Sequence, residues 1–79
     1  MILVMQLEEY ISVVPDVRSG KPCIRGTRIT VYDILEYMAG GMSEAEILDA
    51  FPELNSQHLK AVLAFAAARE RQLSTSPAA

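Results

Sequence analysis

Along the chain the apolar positions change their spacing, and the changes mark where elements begin. Ile11-Ser12-Val13-Val14 is mostly β-branched and stops at Pro15-Asp16, which predicts a short strand. Arg18-Ser19-Gly20-Lys21 is turn chemistry. Pro22-Cys23-Ile24 then predicts a returning strand, its proline suited to an edge or a strand start. Gly26 marks a further corner before Ile29 and Val31, so the whole stretch is predicted as a β-ribbon over 11–29. A two-stranded ribbon is barely stable alone and needs a helix beneath it or a partner's strands beside it.

From Thr30 the spacing is helical. Val31, Ile34, Leu35 and Met38 fall at i, i+3, i+4 and i+7 and predict a helix over about 31–39. Thr30 and Asp33 have the spacing of a capping box, and Gly40-Gly41 supplies the stop. A second helix is predicted over 43–51. Ser43 and Glu46 form its capping box, Met42 and Ile47 its hydrophobic staple, and Pro52 its end. Asn55 or Ser56 caps a third helix over about 56–72, in which Leu59, Val62, Leu63 and Ala66 repeat the stripe. The small, polar tail 74–79 is expected to be disordered. Residues 1–10 stay open as strand, helix or loose chain, and Met5 is as good a start as Met1.

Helix, Gly-Gly break, short helix, turn and longer helix predict a mainly α fold. The expectation is a three-helix helix-turn-helix bundle preceded by a short N-terminal β-ribbon, in a single domain over 1–73. Ala61, Phe65 and Ala68 add a second apolar line to the third helix, wider than one small core needs. With 79 residues, 51 % of them hydrophobic, the surplus predicts a homodimer, with Val62, Phe65 and Ala66 at the partner interface. No apolar run approaches the roughly 18 residues of a membrane span, and no small-residue cleavage site follows Met1–Met5. One free cysteine and no export signal place the expectation in the cytoplasm.

Charge is distributed in blocks. Arg18, Lys21, Arg25 and Arg28 give residues 17–32 a charge of +4, whereas Asp33, Glu36, Glu44, Glu46, Asp49 and Glu53 give residues 33–53 a charge of −6. Such a chain can meet a partner of either sign, including its own copy. In a helix-turn-helix the first turn of the third helix enters the major groove, which nominates Asn55, Ser56, Gln57 and Lys60. Asn55 and Ser56 also have a plain task as caps. Lys21, Arg25 and Arg28 are candidates for phosphate contacts beside that helix. For Arg28 a brace to Asp33 or Glu36 is the favoured reading; Arg18, Lys21 and Arg25 stay open between brace and clamp. Cys23 and His58 suggest a nucleophile and a base, but no third group orients them, so neither catalysis, metal, cofactor nor small-molecule substrate is expected.

Gly20-Lys21-Pro22, Gly26-Thr27-Arg28 and Phe51-Pro52-Glu53-Leu54 stand at spacings that resemble the small bacterial and archaeal family known as domain of unknown function 433. The likeness runs from Tyr10 to about Arg69. It implies a homeodomain-like, winged-helix-related fold behind a β-ribbon. It also implies an antitoxin-like role in which the chain represses its own operon at operator DNA and masks a PIN-type nuclease toxin from a neighbouring gene. The alternative is a protein-interaction module that binds a basic partner through its acidic second helix, with no DNA contact.

Overall fold

The computed structural model describes residues 6–73. The tail expected over 74–79 and the opening five residues lie outside the described residues. Gln6 leads into a 3-10 turn, Leu7–Glu9, which supplies part of the segment left open by the sequence. The ribbon is smaller than predicted. β1 (Ile11–Ser12) pairs antiparallel with β2 (Cys23–Ile24), Ile11 opposite Ile24 and Ser12 opposite Cys23, and Cys23 also bridges Thr30. Val13 and Val14, expected to extend the first strand, turn out into solvent; Val13 is 59 % exposed. Ile11, Cys23 and Ile24 are the buried residues of the ribbon, Ile11 and Ile24 within the helical core, so pairing stops where burial stops.

Three helices follow: α1 (Val31–Ala39), α2 (Glu44–Ala50) and α3 (Ser56–Leu73). Each touches the other two. The fold is the mainly helical, three-helix arrangement behind a short antiparallel ribbon that the spacing predicts. Both capping boxes form in full, Thr30 with Asp33 and Ser43 with Glu46. The end of α1 is a Schellman motif. Gly41 takes φ +103°, its N–H reaches the Met38 carbonyl at 3.0 Å, and the Met42 N–H reaches that of Tyr37 at 3.0 Å.

The core gathers Ile11, Ile24, Val31, Ile34, Ile47, Leu54, Leu59, Ala61 and Val62. Tyr37 stacks on Phe51 at 5.6 Å between ring centres, closing the end of α2 over α1. Two expectations for α3 are corrected. Leu63, counted in the inward stripe, is 49 % exposed, because it stands about 100° round the helix from the enclosed Val62. Lys60, Leu63, Ala67 and Glu70 form the exposed face instead. Val62, expected at the partner interface, is 0 % exposed within the single chain and is core. The widened apolar face is therefore taken up largely by α1, α2 and the N-terminal turn, leaving Phe65 and Ala66 half-buried.

Ile34 is fully enclosed, so Ile34→Val should lower unfolding free energy by about 0.5–1.5 kcal/mol in a urea titration. Val13→Ser, on an exposed position, should change it by less than about 0.5 kcal/mol.

Candidate functional site

The turn after β1 is held in an unusual conformation. Arg18, Ser19 and Gly20 have φ of 49°, 60° and 79°, three left-handed residues in succession, of which only the glycine is free of steric cost. What holds the turn is the Arg18 side chain. Its Nη1 donates to the Arg28 carbonyl oxygen at 2.7 Å and to Asp33 Oδ2 at 3.1 Å. The same Oδ2 accepts the Thr30 N–H at 3.3 Å, while Thr30 Oγ1 accepts the Asp33 N–H at 2.8 Å. Partial burial by itself would push the Asp33 carboxyl up. Hydrogen bonds from the Thr30 backbone and side chain, then from Arg18, outweigh it and hold the group below its ordinary 3.8.

Arg18, not Arg28, is thus the brace to Asp33. The reason lies in the corner itself. Thr27 Oγ1 donates to the Ile24 carbonyl at 2.8 Å and accepts the Ile29 N–H at 3.0 Å, and the curl turns the Arg28 carbonyl, not its side chain, toward Arg18. The Arg28 guanidinium is exposed and makes no hydrogen bond or ion pair with the described residues.

Arg25 is also occupied, in a different direction. Its Nε and Nη2 donate to the Glu8 carbonyl at 2.9 and 2.5 Å, Nη2 reaches the Ile11 carbonyl at 3.4 Å, and its backbone N–H bonds Tyr10 at 2.7 Å. It fastens the N-terminal turn to β2, the brace of the two roles left open for it. Lys21 stands elsewhere again, in a groove between α1 and the later half of α3, with Pro22, Tyr32, Leu35, Phe65 and Arg69. Arg69 lies over the Phe65 ring at 5.8 Å.

The start of α3 carries the other four candidates. Asn55 Oδ1 accepts the N–H groups of Gln57 at 2.9 Å and His58 at 3.2 Å, so Asn55 is the cap. In return His58 Nδ1 accepts the Asn55 N–H at 3.0 Å. The half-buried His58 ring meets Tyr10 edge-on at 5.9 Å. Ser56, Gln57 and Lys60 are exposed. From Gln57 to Arg69 along α3 is about 18 Å, so Lys21 cannot serve the same small contact as Gln57. The seven nucleic-acid candidates therefore separate into a corner where Arg25 is occupied and Arg28 exposed, a groove with Lys21, and a helix start with the other four. His58 and Tyr10 were missed as seats of α3, though Asn55-x-x-His58 has the spacing of a capping box.

Cys23 is buried and its Sγ bonds the Lys21 carbonyl at 3.3 Å. Among the described residues, no cluster of three or more His, Cys, Asp or Glu could hold a metal ion, and no helix is long and apolar enough to cross a membrane.

Residues 11–66 match the family model described as "Protein of unknown function (DUF433)". The chain is 35 % identical over 60 residues to the uncharacterized protein y4eO of Sinorhizobium fredii, a match covering 76 % of this chain and 27 % of that one. It also resembles the crystal structure of a DUF433 member protein from Anabaena variabilis, with a TM-score of 0.77 and 30 % identity. That match covers 84 % of this chain and 65 % of the other. The chain thus spans about a quarter of the curated relative's length and just under two thirds of the crystallised one.

Because Arg18 holds the turn and Arg28 does not, Arg18→Ala should cost about 1 kcal/mol by chemical unfolding, and Arg28→Ala less than about 0.5 kcal/mol. The lowered Asp33 carboxyl sets a pH sign. Its contribution is complete above the unfolded value and is lost as pH falls through the lower folded value, that is, below about pH 4. Stability measured down to pH 2.5 should therefore fall more steeply in the wild type than in Asp33→Asn.

Proposed function

The chain belongs to the DUF433 family of proteins of unknown function, and from that premise we propose that it is a non-catalytic, antitoxin-like binding module of the cytoplasm. In this reading two copies pair, with Phe65 and Ala66 in the shared surface. The start of α3 meets operator DNA, and the module masks a PIN-type nuclease from a neighbouring gene.

The observation that carries the reading is the first turn of α3. It is exposed, it follows a short helix and a turn, and it is held by the reciprocal Asn55–His58 cap and the Tyr10 ring. A fixed helix start that presents Gln57 and Lys60 to solvent suits contact with base edges and phosphate. Exposed Arg28 adds a cation for the backbone.

A second reading, a module that binds protein alone, is favoured by the occupied Arg25 and Asn55. With Arg25 bonded to backbone the basic footprint is thinner, and with Asn55 spent as a cap one base-reading amide fewer remains, beside the exposed acids Glu44, Asp49 and Glu53.

A gel shift with DNA from upstream of its own gene separates the two. Under the first reading affinity falls steeply with salt, Lys60→Ala lowers the salt slope by about one, and Gln57→Ala relaxes sequence preference by about 1–3 kcal/mol. No shift at low salt, together with a stable complex on co-expression with the neighbouring gene, would overturn the DNA role and support the second.

A further inference from the structure

The first turn of α3 is closed by a histidine where a capping box ordinarily carries glutamate or glutamine. Nδ1 of His58 accepts the Asn55 backbone N–H, and a ring nitrogen that accepts a hydrogen bond carries no proton. The neutral ring is therefore the tautomer with its proton on Nε2. Protonation places a hydrogen on Nδ1 facing the Asn55 N–H, so the acceptor is lost and two donors oppose each other. It also puts a positive charge in the first turn, where the helix macrodipole is already positive. Both effects act in the same direction.

The charged groups on the elements that meet here are Glu8 and Glu9 in the turn before Tyr10, Arg25 bonded to that turn, Glu53 ahead of α3, and Lys60 on α3. Among the described residues none of these carboxylates forms an ion pair with the imidazole.

We propose that His58 is a protonation-sensitive latch on the start of α3: closed when the ring is neutral, with Nδ1 free to accept, and released when Nδ1 takes up a proton. Release also frees the Tyr10 ring from its contact with His58. The surface of Ser56, Gln57 and Lys60 is then well ordered only on the neutral side. The latch is a property of the free chain and stands whether α3 meets DNA or protein.

Nitrogen-15 NMR on the whole chain tests it. At pH 8 the His58 ring should show the Nε2-protonated tautomer. Between pH 8 and pH 5 the protection factors of the Asn55 and Gln57 amides, corrected for intrinsic exchange, should fall about fivefold to tenfold while that of Val62 changes little. His58→Gln keeps an acceptor at the same position without titrating and should hold its protection across the range. An Nδ1-protonated ring at pH 8, equal wild-type protection at both pH values, or a His58→Gln variant that loses protection as the wild type does would each overturn the latch. The tautomer and wild-type measurements do not depend on the variant folding.

Discussion

Asp33 Oδ2 accepts from the Thr30 N–H at 3.3 Å and from Arg18 at 3.1 Å, and so joins α1 to a ribbon with only two residue pairs of its own. A ribbon that small does not stand alone in water. Its two core residues, Ile11 and Ile24, attach it to the helices, and the carboxylate fixes the turn that brings the strands back. Thr30 is 1 % exposed and sits at the centre of this joint, capping α1 through its hydroxyl and bridging Cys23 through its backbone. Among the described residues every buried side-chain nitrogen and oxygen is bonded, which is what makes a single geometry cheaper than its alternatives.

A second seam runs from Arg25 through Tyr10 to His58 and seats the start of α3. Cations that looked free for a ligand thus hold the fold together, each by bonding backbone carbonyls across the ribbon. The exposed groups that remain (Lys21, Arg28, Gln57 and Lys60) stand on different parts of the surface. A binding role must therefore rest on the shape and order of the α3 start more than on a continuous basic patch.

The helices were legible because their signals are local. A cap and its N3 partner lie three residues apart, and Thr30–Asp33 and Ser43–Glu46 both form as spaced. Gly40-Gly41 ends α1 by the motif its composition allows. The ribbon was legible in its existence and turn but not in its length, since Val13 and Val14 are as β-branched as Ile11 and differ only in having nothing to pack against. The site was less legible still. Arg18 and Asp33 lie fifteen residues apart, and no spacing rule distinguishes Arg18 from Arg28 as the brace.

Sequence alone determined the order, type and approximate bounds of the three helices and the turn at Gly20, because backbone hydrogen bonding and apolar periodicity act over a few residues. Tertiary structure alone decided which arginine holds which carbonyl, that Val62 is interior while Leu63 is not, and that His58 closes α3 against Tyr10. Those outcomes depend on which surfaces meet when the ribbon folds back on the helices. A long side chain can reach partners in several directions, and only packing selects one.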